Sequence, residues 1–177
     1  MRIIGGYLRG KKITPPANYQ ARPTTDFAKE GLFNMLSNEF YFGELSVLDL
    51  FSGTGSISFE FASRGCRDII SIEMNPLHTG FIRRCALQFK IGGMQVTRYN
   101  AFEFIDICKK RFDIIFADPP YSIQGLESIP GRIFAKGLVK EGGYLILEHS
   151  GNYDFNQMPH YVKEKRYGNV HFSFFRP

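Results

Sequence analysis

Apolar residues along this chain recur in two alternating patterns, and the alternation predicts the architecture. Short runs rich in Val, Ile, Leu and Phe read as strands at Val47–Leu50, Asp68–Glu73, Gln95–Tyr99, Phe112–Ala117 and Tyr144–Glu148. Helically spaced segments stand between them. Leu32, Phe33, Met35 and Leu36 give an apolar face to a helix running to about Phe40, with Thr24 or Thr25 as its cap and Asp26 near its positive end. Further helices are predicted over Ser56–Arg64, from Asn75-Pro76 onward (Leu77, Phe81, Cys85 and Phe89 recur by fours), over Phe102–Lys110 and over Ser128–Lys136. Strands that alternate with helices predict a parallel sheet covered on both faces. The tail, His160–Phe175, splits at Gly168-Asn169 into a hairpin that would add antiparallel strands at one edge. Residues 1–14 read as a glycine-punctuated hairpin, and Pro15-Pro16 and Arg22-Pro23 break the chain around a polar loop. The expectation is one domain over 1–177, with 1–25 as a basic hairpin and loop extension.

Composition narrows the class. The chain has 177 residues, 44% hydrophobic and 22% charged, which suits one soluble globular domain with a single well-buried core. No apolar run is long enough to span a bilayer, and the N-terminus lacks the features of a signal peptide, so the expected location is cytoplasmic. Cys66, Cys85 and Cys108, like His78, His149, His160 and His171, lack metal-ligand spacing, and no metal is expected. The net charge of +5 is unevenly spread. Residues 1–29 carry Arg2, Arg9, Lys11, Lys12, Arg22 and Lys29 against Asp26 alone, while the remainder is balanced. A basic arm on a neutral body is the electrostatic footprint of a phosphate-bearing partner.

Two motifs carry the chemistry. Asp49-Leu50-Phe51-Ser52-Gly53-Thr54-Gly55-Ser56 follows the first strand. In a doubly wound sheet, ligands bind beyond the carboxyl ends of the strands, where the strand order reverses. Glycines there let the backbone approach a ligand, the following helix start offers free N–H groups, and Asp49 can accept a bond from an ammonium. Glu73, ending the second strand, can accept both hydroxyls of a ribose; Met74 can pack on an adenine face, and Asn100-Ala101 can hold its edge. A dinucleotide site is disfavoured because Ser58 stands where the third glycine of Gly-x-Gly-x-x-Gly belongs. The second motif, Asp118-Pro119-Pro120-Tyr121, follows the fourth strand. Its prolines remove two N–H donors, leaving the Asp118 carboxylate and backbone carbonyls as acceptors for a planar amine. Tyr121 offers a ring for a base to stack on. Together the motifs point to transfer of a methyl group from S-adenosylmethionine to an exocyclic or amide nitrogen.

The chain resembles the RsmD-type methyltransferases, which make N2-methylguanine in small-subunit (16S) ribosomal RNA. The resemblance covers nearly the whole length. It rests on Arg2-Ile3-Ile4-Gly5-Gly6 with Arg9-Gly10-Lys11, on Arg22-Pro23-Thr24-Thr25-Asp26 followed by Leu32-Phe33-Asn34, and on both motifs above. It implies an α/β class I methyltransferase fold, Rossmann-like, with a seven-stranded mostly parallel sheet, a C-terminal antiparallel hairpin and a small N-terminal β-hairpin. It implies S-adenosylmethionine as cofactor, held by Asp49, Phe51, Gly53, Gly55, Ser56, Glu73, Met74, Asn100, Ala101 and Thr25. Asp118, Pro119, Pro120 and Tyr121 would form the catalytic loop, and Arg2, Arg9, Lys11, Lys12 and Arg22 would bind ribosomal RNA within the 30S subunit or its assembly intermediate. A monomer is expected. The alternatives are a DNA adenine or protein glutamine methyltransferase, and a non-catalytic RNA-binding assembly factor.

Overall fold

The structure is a computed structural model that describes residues 1–15, 24–120 and 123–177. Its centre is one seven-stranded sheet of β1 (Ser46–Asp49), β2 (Asp68–Glu73), β3 (Met94–Arg98), β4 (Phe112–Ala117), β5 (Val139–His149), β6 (Tyr161–Tyr167) and β7 (Val170–Phe175), ordered β3-β2-β1-β4-β5-β7-β6. The first five strands in that order run parallel, and β7 pairs antiparallel with both β5 and β6. The order reverses between β1 and β4, so the carboxyl ends of these two strands flank the switch point. This is the sheet expected from the sequence.

Among the described residues, five α-helices cover it: α1 (Asp26–Glu39), α2 (Ser56–Ser63), α3 (Pro76–Gln88), α4 (Ala101–Ile107) and α5 (Ser128–Ala135). The strands are apolar on both faces because both are covered. Val47, Ile114, Phe116 and Ile146 pack under α1 and α2, while Leu48, Ile115, Ala117 and Leu147 pack under α4 and α5. Element boundaries differ modestly from the sequence reading. α4 ends at Ile107. β5 starts at Val139, five residues earlier than expected, because a register irregularity against β4 extends the pairing through Gly142 and Gly143. Gly142 adopts φ 79°, and a Cβ on Gly143 would lie 2.4 Å from the Asp113 carbonyl oxygen, so this irregularity requires glycine.

The expected N-terminal β-hairpin is present as a short antiparallel pairing: Arg2 bridges Lys12, the Ile3 N–H donates to the Lys11 carbonyl, the Gly10 N–H to the Ile3 carbonyl and the Ile13 N–H to the Met1 carbonyl. Gly6 and Gly10, both at positive φ, take the chain through the turn between the two arms. What holds the segment is its seat on the domain. Ile3, Leu8 and Ile13 are buried against Phe59 of α2 and Phe81, Ile82 and Cys85 of α3. The buried Glu60 carboxylate accepts the N–H groups of Ile4 and Gly5 at 2.9 and 2.8 Å and pairs with Arg64 at 3.1 Å. Ser63 Oγ accepts the Leu8 N–H, and the Ser63 carbonyl accepts the Tyr7 N–H. A Cβ on Gly6 would fall 1.8 Å from that carbonyl oxygen, so the approach needs glycine. On the other side, Lys29 of α1 donates to the Arg2 carbonyl at 2.8 Å, and Arg2 pairs with Asp26.

Glu60→Ala should therefore strand two part-buried amides and a guanidinium. The expected cost is roughly 2–4 kcal/mol, read by urea denaturation, together with faster proteolysis between residues 1 and 15. An unchanged midpoint and cleavage rate would show that burial of Ile3, Leu8 and Ile13 is enough to hold the segment.

Candidate functional site

A cavity of about 530 Å³ opens at the switch point, where the loops after β1, β2, β3 and β4 meet the end of β5. Its floor begins at Asp49, the last residue of β1 and only 1% exposed. Ser58 Oγ donates to Asp49 Oδ2 at 2.6 Å and lies 2.7 Å from Ser71 Oγ. Asp49 Oδ1 is buried and accepts nothing from the described residues; neither has the buried Ser56 hydroxyl a partner among them. Burial pushes the Asp49 carboxyl up to about 6, with the Ser58 hydroxyl working in the opposite direction. Phe51, Gly53 and Ser56 line the same cavity.

Gly55 does not. It takes φ 80° as the cap of α2, and a Cβ there would meet Phe59 and Ile82, so its role is to fit helix against helix rather than to admit a ligand. The loop closes onto Glu73 through the Gly53 N–H, which donates to Glu73 Oε2 at 2.8 Å. The Asn75 N–H donates to Oε1 at 2.7 Å. Two backbone donors thus fix the Glu73 carboxylate at the cavity wall, and each oxygen keeps further acceptor capacity. Met74, Asn100 and Ala101 also reach the cavity. The Asn100 side chain is committed to α4, where Oδ1 accepts the N–H groups of Phe102 and Glu103. Tyr99 and Phe102 add apolar walls beside it.

Across the cleft, Asp118, Pro119 and Pro120 follow β4. Asp118 is half-buried. Burial holds its carboxyl well above the usual range, and the charges of Glu148 and Asp49 push in the same direction. Tyr121 and Arg22 lie outside the described residues.

Tyr99, Phe102 and Glu148 were not assigned by the sequence reading, and Glu148 is the one among them that carries charge. Glu148, near the end of β5, lines the cleft and is 6% exposed. Burial raises its carboxyl to about 7, opposed by a hydrogen bond that Thr24 Oγ1 donates to Oε2 at 2.7 Å. The available signal was position: Glu148 closes an apolar strand, as Asp49 and Glu73 do. Thr24, rather than Thr25, enters the cavity; the Thr25 hydroxyl accepts the Ala28 N–H and caps α1. The basic residues Arg2, Arg9, Lys11 and Lys12 are exposed on the N-terminal segment. The cavity itself is acidic, lined by Asp49, Glu73, Asp118 and Glu148.

Among the described residues no group of His, Cys, Asp and Glu could hold a metal ion, and no helix is long and apolar enough to cross a membrane. A family model described as Conserved hypothetical protein 95 matches residues 1–176. The Ribosomal RNA small subunit methyltransferase D of Escherichia coli K12 is 34% identical over 148 residues, covering 84% of this chain and 74% of its own. The protein of the same name from Buchnera aphidicola subsp. Baizongia pistaciae is 27% identical, covering 99% and 91%. The solved structure of a hypothetical protein from Thermus thermophilus superposes with a TM-score of 0.88 at 27% identity, covering 100% of this chain and 99% of that one.

The raised carboxyls make the fold pH-sensitive. Asp49 at about 6 and Glu148 at about 7 both lie above the ordinary carboxyl value near 4. Between those limits the folded chain binds more protons than the unfolded chain, so these groups' contribution to stability is present at low pH and is lost as pH rises through 6–7. The melting temperature of the ligand-free protein should fall between pH 5 and 7.5 more steeply than that of the Asp49→Asn, Glu148→Gln double variant. Parallel curves would refute the raised values.

Proposed function

The chain belongs to the Conserved hypothetical protein 95 family, and from that premise we propose that it transfers the methyl group of S-adenosylmethionine to the exocyclic N2 amine of a guanine in small-subunit ribosomal RNA. It is an S-adenosylmethionine-dependent methyltransferase acting on ribosomal RNA, as its named relatives are. The observation that carries the finer reading is the meeting of Asp118-Pro119-Pro120 with the Asp49–Ser56 loop in one cleft across the switch point.

The residues fit the cofactor. Asp49 Oδ1 and Ser56 Oγ are buried polar atoms that lack partners among the described residues. An ammonium supplies the donor Asp49 Oδ1 needs, and the hydroxyl of Ser56 can serve a carboxylate. The fixed Glu73 carboxylate accepts a ribose diol, and Met74, Tyr99 and Phe102 bracket a flat base. When bound, the cofactor supplies an electrophilic methyl carbon on a positively charged sulfur, and the negative cleft favours that charge.

Asp118 orients the target amine. Its carboxylate accepts an amine N–H, which turns the nitrogen lone pair toward the methyl carbon. The nitrogen that took the methyl carbon would become positive, with the electrons of the C–S bond left on the cofactor's sulfur. Asp118 stabilises that charge, and the departing amine proton passes to it or to water. No covalent intermediate with the enzyme is needed. Arg9, Lys11 and Lys12, exposed and clear of the cleft, are the phosphate contacts of this reading. The enzyme would act in the cytoplasm as a monomer, on the 30S subunit or a precursor of it.

Labelled S-adenosylmethionine offered with unmodified small subunits, naked small-subunit RNA and duplex DNA tests the assignment. Mass spectrometry of digested product should find N2-methylguanosine from the RNA. Methyladenine in DNA would overturn it. Asp118→Ala should lower the rate by about 10²–10³ with cofactor affinity nearly intact, and normal turnover would remove Asp118 from the chemistry.

The arm gives a separate expectation. Neutralising Arg9, Lys11 and Lys12 together should weaken RNA binding and flatten its dependence on log salt by about 0.7–0.9 per lost contact. An unchanged slope would show that the arm does not touch phosphate.

A further inference from the structure

Glu148 is a buried acid in the cleft that the methyl-transfer step does not use. β4 and β5 are parallel with Ala117 opposite Leu147, so the next residues, Asp118 and Glu148, leave neighbouring strands side by side, roughly 5 Å apart. Ala117 and Leu147 point into the core beneath α4 and α5; by strand alternation Asp118 and Glu148 face the other way, and both line the cavity. The Glu148 side chain is anchored rather than free. Thr24 Oγ1 donates to Oε2 at 2.7 Å, which fixes the carboxyl while Oε1 keeps its capacity to accept. Burying a carboxylate with one neutral hydroxyl as donor is unfavourable, and a second donor from a ligand would offset it.

We propose that Glu148 is the specificity-determining residue of the amine pocket, accepting the ring N1–H of guanine while Asp118 accepts the neighbouring N2 amine. The inference rests on the reading of this cleft as a guanine-N2 site and deepens it. Among bases that carry an exocyclic amine, guanine alone places that amine beside a ring N–H donor. In adenine and cytosine the adjoining ring nitrogen is an acceptor, whose lone pair would face the Glu148 oxygen. Two carboxylates side by side therefore complement the N1–H and N2–H edge of guanine and repel the edges of the other two. A site built to bond a donor rejects analogues that lack it, because its buried acceptor is then left unpaired. Thr24 is the positioning residue: it aims the Glu148 carboxyl and favours its charged form.

The test exploits 2-aminopurine, which keeps the C2 amine but has an unprotonated N1. Product analysis first locates the guanine that the wild-type enzyme methylates. Small-subunit RNA is then prepared with either guanine or 2-aminopurine at that position, and kcat/KM is measured for both. The wild type should prefer guanine. Glu148→Gln should lower kcat/KM for guanine by about 10- to 100-fold and leave 2-aminopurine unchanged or faster, so that the preference collapses. A fall of both substrates by the same factor would mean a structural role and would overturn the proposal. So would a wild type that methylates the two alike. If Glu148→Gln fails to bind S-adenosylmethionine, Thr24→Val keeps the carboxylate but removes its anchor, and it should narrow the preference by a smaller factor; an unchanged preference there also overturns it. Absence of any N2-methylguanosine with the wild type is a different result, because it removes the guanine-N2 reading itself.

Discussion

Carboxylates taken out of water must find donors or protons, and this protein gathers three of them, Asp49, Asp118 and Glu148, at the ends of three adjacent parallel strands. The strand order puts them there. β1, β4 and β5 are neighbours, and the carboxyl ends of all three open on the same side of the switch point. Among the described residues the donors aimed at these acids are few and uncharged, chiefly the hydroxyls of Ser58 and Thr24 and the Ser58 backbone N–H. The cleft by itself is thus under-supplied with positive charge and with donors. A ligand carrying an ammonium and a sulfonium, together with a base that presents N–H groups, supplies both deficits at once. Recognition of cofactor and substrate is in this sense one electrostatic problem solved by one cluster.

Much of this architecture was legible in the chain. Near-continuous apolar strands such as Phe112–Ala117 can exist only where both faces are covered, and that fact alone implies the parallel sheet and its helices. Asp49, Glu73 and Asp118 each close such a strand, which places them at the switch point once the order is known. What escaped was long-range. Nothing local in the sequence brings Thr24 to Glu148, 124 positions away, and the role of Glu148 emerges only when β5 is laid beside β4. The choice of Thr24 over Thr25 for the cleft depended on which hydroxyl the first turn of α1 consumed as a cap.

Glycine was read correctly as a signal and incompletely as a mechanism. Gly53 belongs to the cavity wall, but Gly55 is demanded by the packing of Phe59 and Ile82 against a left-handed backbone. Gly6 likewise allows a close approach to the Ser63 carbonyl. In each case the absent Cβ makes room for protein, and an isolated sequence motif carries no information about which neighbour needs the room.

The seat of the N-terminal segment has a mechanical consequence. Helix α2 begins at Ser56, at the cofactor loop, and ends at Ser63, whose hydroxyl and carbonyl grip Leu8 and Tyr7. Those two ends are about 10 Å apart along a rigid rod, and Thr54 Oγ1 also touches Met1 Sδ at 3.1 Å. The exposed cations of the segment therefore cannot drift relative to the pocket. The domain works as a caliper with one jaw of basic residues and one of acids, and its opening is set by a single short helix. On the reading proposed above, such a spacing would select a nucleotide by its offset from a neighbouring stretch of backbone, so two identical sequences at different offsets would be told apart by length alone.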